Sequence, residues 1–165
     1  MIPDYDSYMY HATPLGDMFV AARAGVLTWC VWRATPRYAA WMSGDIVREP
    51  DCAVLRQAAE WLDAYFAGCE HEVDRPVLEQ PRTAFRREVY NAMDRIGRGQ
   101  TISYGGLAAA VGVPDGARAV AGAVAANRLL LMRPCHRVVG ADGKLHGYAS
   151  GLDIMAALLE MESRG

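Results

Sequence analysis

The chain lacks the usual marks of a metalloprotein, a membrane protein or a secreted one. Its four cysteines, Cys30, Cys52, Cys69 and Cys135, form no Cys-x-x-Cys pair and no histidine stands at zinc-finger spacing, so a structural zinc site is not expected. The apolar runs are short, near Leu129–Met132 and Ala119–Ala126, well below the roughly 20 residues that a membrane span needs. Met1 leads into IPDYDSYMY, which has neither a basic n-region nor an apolar h-region, so a cytoplasmic location with reduced thiols is expected. Lysine is nearly absent: Lys144 is the single one, and every other base is arginine. There is also no positive excess, because 17 bases against 19 acids give a net charge of −2, which over the whole chain argues against a nucleic-acid partner. What is present is ordinary globular material: 165 residues, 52% hydrophobic, enough for one domain or two small ones and too apolar for a disordered chain.

Resolved by region, the charge looks different. Residues 1–80 carry a net −6 and residues 81–165 a net +4. Between Arg82 and Arg137 stand nine arginines against Glu88, Asp94 and Asp115. A basic C-terminal half beside an acidic N-terminal half is the pattern of a phosphate-facing surface, although solvated arginines would give the same count.

The hydropathy pattern also changes near residue 80. Residues 8–32 alternate as strands do, in YMYHAT, DMFVAA and VLTWCVW, with a turn over Arg23–Gly25. Residues 34–50, with Pro36, Gly44 and Pro50, read as a loop with one further short strand at Asp45–Arg48. Asp51 can cap a helix over 53–67 whose apolar face is Leu55, Ala58, Leu62 and Phe66, and Gly68 stops it. GCEHEVDRPVLEQPR reads as an inter-domain linker, dividing the chain into domains 1–80 and 81–165. Thr83 can cap a helix with Phe85, Val89, Met93 and Ile96 on one face. Two short helices follow, Tyr104–Val111 and Ala117–Ala126, joined by a Gly-rich turn in the manner of a helix-turn-helix. The second, ARAVAGAVAAN, is built of small residues and offers only Arg118 to reach bases, which suits close approach in a narrow groove better than major-groove reading.

Cys135 has unusual neighbours. It lies in Arg133-Pro-Cys-His-Arg-Val-Val139, between two arginines and directly before His136. Nearby cations favour thiolate, so the sequence predicts a lowered thiol pKa and a nucleophilic cysteine. Cys30 and Cys52 read as buried small apolar residues, and Cys69 as inert.

PCHRVVGADGKLHGYASGL resembles the active-site segment of the O6-alkylguanine-DNA alkyltransferases, with its Pro-Cys-His-Arg-Val, Gly-Tyr and Gly-Leu. RTAFRREVYNAMDRIGRGQTISYGGLAAAVG is similar to that family's Phe-led helix, Ser-Tyr-Gly turn and first DNA-binding helix. ARAVAGAVAANR resembles its Arg-Ala-Val helix and following Asn, and LLEME its terminal Leu-Leu-x-x-Glu. The likeness covers nearly all of residues 83–162 and is weaker over TPLGDMFVAARAGVL and YFAG.

The resemblance implies an α/β N-terminal domain of ribonuclease-H-like type, an antiparallel sheet plus helix, and a mainly α C-terminal domain containing a helix-turn-helix. It implies a monomer that repairs double-stranded DNA by moving the alkyl group of O6-alkylguanine irreversibly to its own cysteine, once per chain, with no metal, cofactor or membrane. Residue by residue, Cys135 is the acceptor, His136 the base acting through a water, and Glu162 the carboxylate that orients it. Tyr104 is the proton donor to the guanine, and Asn127 braces the turn into the active-site loop. Arg118 fills the place of the flipped base, with Ala117, Ala121, Gly122 and Ala125 as the groove-facing surface. Val138, Tyr148, Ala149 and Ser150 contact the base. The chain departs from the family at Arg86, Tyr90 and Gly97, where Gln, Trp and Pro are frequent. It departs again at Arg128, where Pro is frequent, and at Met155, where Lys is common. Two rival readings are a lesion binder that flips damaged bases without repair, whose relatives lack the cysteine, and a helix-turn-helix regulator.

Overall fold

The computed structural model describes residues 5–42 and 52–165. The strand expected at Asp45–Arg48, the loop residues Gly44 and Pro50, and the cap at Asp51 lie outside the described residues. The chain forms two compact units, the first ending at Glu79 and the second running Gln80–Gly165.

In the first unit, β1 (Ser7–His11), β2 (Met18–Arg23) and β3 (Val26–Trp32) form an antiparallel sheet in that order. The central strand reads MFVAAR rather than alternating, because it is covered on both faces: Met18 through Ala22 are all fully buried. β2 and β3 meet in a two-residue turn at Ala24 and Gly25, with φ of 50° and 77°, the left-handed pair that matches strand twist. Ala24 adopts that conformation without the freedom of glycine, and its amide is held by the Asp6 carboxylate at 2.9 Å. The helix α1 (Ala53–Ala67) lies against the sheet and ends at Gly68 in the left-handed conformation. Leu55, Ala58 and Leu62 are buried as expected, but Tyr65 rather than Phe66 completes the face. The end of the expected linker is not free chain. Leu27 N–H donates to Val77 O and Glu79 N–H to Leu27 O, both at 2.9 Å, so Leu78 sits buried beside β3.

The second unit holds α2 (Ala84–Met93), β4 (Ile102–Ser103), α3 (Tyr104–Ala110), α4 (Ala117–Ala125), β5 (Val138–Val139) and α5 (Leu152–Arg164). Thr83 caps α2, its hydroxyl accepting from Arg86 N–H at 3.3 Å, and Ser103 caps α3 through Gly106 N–H at 2.9 Å. Val89, Met93, Leu107, Val120 and Leu158 fill the core. Phe85, expected on the buried face of α2, lies one turn too early and stays partly exposed. α2, α3 and α4 pack on one another, and β4 pairs in parallel with β5. That short parallel pair matters for the site: it fixes the chain directly after Cys135 to the chain directly before Tyr104.

Among the described residues no helix is long and apolar enough to cross a membrane. No group of three or more His, Cys, Asp or Glu among them could hold a metal ion.

Candidate active site

The segment that carries Cys135 is shaped by the turn before it. Leu129–Met132 is buried throughout, and Leu131 has φ +69°, a left-handed conformation that costs a non-glycine residue roughly 1–2 kcal/mol. Asn127 holds the turn from both ends. Its Oδ1 accepts from Leu129 N–H at 3.1 Å and its Nδ2 donates to Arg133 O at 3.2 Å. A short 3₁₀ turn over Cys135–Arg137 follows and runs into β5.

Cys135 is buried, and here the expectation of an acidified thiol is overturned. Burial pushes the thiol up to about 11, against the weaker pull of a hydrogen bond from Asn127 and of the Cys135 and His136 amides. The reason is where the flanking arginines go. Arg133 lays its guanidinium over the Tyr90 ring, 4.8 Å from the centroid, and Arg137 turns to Glu162. Neither charge is spent on sulfur, so at neutral pH the group is a protonated thiol that needs a base.

The next residue in the chain offers one. His136 is fully buried, with Nε2 2.7 Å from Glu162 Oε1. Burial holds its imidazole below the ordinary histidine range, against the opposing pull of Glu162, so the ring is neutral. A neutral ring facing an ionised carboxylate carries its proton on Nε2, which makes Nδ1 the acceptor. Glu162, 2% exposed on α5, is also gripped by Arg137, whose Nε donates to Oε2 at 2.9 Å and Nη2 to Oε1 at 2.7 Å. Gly99 N–H adds a contact to Oε2 at 3.3 Å, and Arg137 Nη1 donates to Ile96 O at 2.7 Å. The sequence nominated Glu162 and His136 but assigned Arg137 only a charge. Its position one residue past the histidine was the available signal for a strut.

The thiol opens on a small cleft. Tyr104, Asn127, Cys135, Tyr148 and Ala149 line it together, with Val124, Ala125, Leu130 and Met155 as apolar wall and His146 and Gly147 at the loop. Tyr104 OH donates to His146 O at 3.4 Å, and burial raises its phenol above the ordinary value, so it is protonated. A Cβ on Gly140 would lie 2.5 Å from the exposed His146 ring, which would have to move aside. Of the other expected base contacts, Ser150 is not on the cleft wall, and Val138 is buried in β5 with its neighbour strand. On α4, Val120, Ala123 and Val124 face inward, while Arg118, Gly122 and Ala125 are exposed and Ala117 and Ala121 are partly so. Nothing stands within 4 Å of a Cβ built on Gly122, so this helix presents an open, shallow outer face. Cys30 is buried at the sheet centre with its thiol pushed strongly up, whereas Cys52 and Cys69 are only half-buried, Cys52 because it occupies the exposed N-cap of α1.

A buried thiol, a neutral imidazole and an oriented carboxylate on a cleft that also holds a protonated phenol can activate sulfur as a nucleophile and protonate a leaving group. Comparison with known proteins agrees in kind. Residues 84–164 match the family model for the DNA binding domain of 6-O-methylguanine DNA methyltransferase. The methylated-DNA–protein-cysteine methyltransferase of Mycobacterium leprae is 36% identical over 91% of this chain and 88% of its own. The constitutive enzyme of that name from Bacillus subtilis is 35% identical over 94% of each. Among solved structures, Mycobacterium tuberculosis OGT in complex with DNA superposes with a TM-score of 0.82 at 33% identity, covering 96% of this chain and 93% of that one.

Proposed function

The chain belongs to the methylated-DNA–protein-cysteine methyltransferase family of DNA-repair enzymes, and from that premise we propose that it takes the alkyl group of O6-alkylguanine in double-stranded DNA onto Cys135, once per chain. The observation that carries this reading is the buried His136–Glu162 pair, 2.7 Å apart, on the residue that follows a buried thiol lining a cleft.

His136 Nδ1 takes the Cys135 proton through a bridging water, and Glu162 stabilises the imidazolium that results. The thiolate attacks the alkyl carbon in line with O6, forming a C–S bond as the C–O6 bond breaks and its electron pair passes to guanine. Tyr104 gives its proton to the departing base and is reprotonated at the expense of His136, so the thiol proton ends on guanine. The product thioether has no leaving group, which makes the reaction a single turnover.

O6 is hidden in a duplex, so the nucleotide must rotate out, at a cost of a few kcal/mol. Arg118 fills its place in the stack, and Ala117, Ala121, Gly122 and Ala125 allow the helix into the minor groove. Asn127 holds the turn before the thiol. Tyr148 stacks on the base, and the backbone at Val138, Ala149 and Ser150 meets its edge. In this reading α3 and α4 act as a helix-turn-helix, the first unit is ribonuclease-H-like, and the protein works as a cytoplasmic monomer without cofactor.

The test is a duplex with one O6-methylguanine and the intact mass of the protein. A gain of one methyl, ~14 Da, that disappears in Cys135→Ser supports transfer. Tight lesion binding with no gain would replace it with the lesion-binder reading.

A further inference from the structure

We propose that Tyr90 is a positioning residue for the transfer: its side chain ties the last turn of α4 to the turn that carries Cys135, and so sets where the thiol stands relative to that helix. The inference rests on alkyl transfer to Cys135 and adds how the acceptor is placed.

Tyr90 is buried on α2, and the two parts of its side chain have different partners. The hydroxyl donates to Ala123 O at 3.0 Å. Burial holds the phenol above its ordinary value, against the pull of Arg86 and Arg133, so it keeps the proton that this bond uses. Ala123 O belongs to the last turn of α4, where carbonyls run short of helical donors: Ala126 N–H, 3.2 Å away, is shared with Gly122 O. The phenol fills that place, and the next two residues, Val124 and Ala125, line the Cys135 cleft. The ring carries the Arg133 guanidinium, 4.8 Å from its centroid. Arg133 stands two residues before the thiol, and its backbone pins the turn. Its N–H donates to Leu129 O at 2.9 Å, and its carbonyl accepts from Cys135 N–H at 2.8 Å and from Asn127 Nδ2 at 3.2 Å. Asn127 spans this turn from within the same stretch of chain. Tyr90 reaches it from a different helix and holds α4 at the same time. A ring packed between two partners passes a shift at one end to the other. In-line attack is sensitive to such a shift, because a misplacement of about 1 Å can cost roughly 10²-fold in rate. Where the resembled family frequently has tryptophan, this chain has a residue with a hydroxyl, and the tie to Ala123 O uses it.

The experiment follows single-turnover methyl transfer by the full chain from a duplex with one O6-methylguanine, read by intact mass over a range of DNA concentrations. Tyr90→Phe removes the hydroxyl alone and keeps the ring under Arg133. It should lower the limiting rate about tenfold and leave the half-saturating DNA concentration within about twofold of the wild type. Arg133→Lys keeps a cation, loses the planar stack and should lower the limiting rate as well. Because both act through one ring, the double variant should be little slower than the slower single one. A limiting rate unchanged in Tyr90→Phe would overturn the inference, as would a double variant whose loss is the product of the two single losses. A loss confined to the half-saturating concentration would overturn it too, by placing Tyr90 in DNA binding. A wild-type chain that gains no methyl would instead overturn the transfer reading, and this inference with it.

Discussion

The His136→Asn variant should change the shape of the pH–rate profile, not only its height. The Cys135 thiol is pushed up to about 11 by burial, so at pH 7 unassisted ionisation leaves about one chain in 10⁴ as thiolate, a penalty of roughly 5.5 kcal/mol. In the proposed mechanism the wild-type His136 takes that proton. It must be neutral to do so, and its pKa lies below the ordinary 6.5. Transfer should therefore be flat with pH above about 6.5 and fall on the acid side as the ring protonates. Asparagine keeps a donor toward Glu162 but cannot accept a proton. Its rate then depends on free thiolate and should rise about tenfold per pH unit across pH 7–9.5, with the deficit largest near neutrality, about 10²–10⁴-fold, and closing toward pH 11. Single-turnover methyl transfer followed by intact mass measures both profiles. A variant whose profile stays parallel to the wild type would refute the assignment of His136 as base, whatever the absolute loss.

Glu162→Gln should lower unfolding free energy by about 3–5 kcal/mol in chemical denaturation, because it leaves the Arg137 guanidinium buried without its carboxylate; a loss below about 1 kcal/mol would contradict the buried network. Arg118→Ala, which removes the side chain proposed to fill the vacated place in the stack, should slow single-turnover methyl transfer from duplex DNA, while Arg133→Ala leaves the slope of log Kd against log salt in place, since Arg133 is buried over Tyr90. Methylation of Cys135, 6% exposed, adds a group to a packed site and should cost about 1–3 kcal/mol, visible as a melting temperature lower by several degrees. An unchanged midpoint after complete transfer would refute it.

The elements were legible wherever a local signal sufficed. Thr83 and Gly68 each mark a helix end that hydrogen bonding or backbone conformation bears out, and the Arg23–Gly25 turn carries the positive φ values that a two-residue hairpin requires. What failed was sidedness. Phe85 shares the helical period of Val89 and Met93, yet it sits in the first turn of α2 and is left 37% exposed. Leu78 was read as linker because Pro76 and Pro81 surround it, and no local pattern announces that β3 has an open edge for its backbone to join. Both errors concern long-range partners, which propensity and spacing do not encode.

The same distinction explains the error about the thiol. Counting Arg133 and Arg137 as cations beside Cys135 treats sequence neighbours as spatial ones, but Arg133 stands before the 3₁₀ turn and Arg137 at its end, and each guanidinium finds a stronger partner than sulfur. The consequence reaches beyond the cysteine. Those two arginines belong to the basic stretch that distinguishes the second half of the chain, yet both are buried struts: one on an aromatic ring, one on the carboxylate that orients His136. The surface charge available to meet phosphate is therefore smaller than the regional count suggests. Removing these charges from the thiol's surroundings keeps it protonated at rest. In the proposed reaction the thiol then depends on His136 and on a substrate seated in the cleft, which would keep it from other electrophiles.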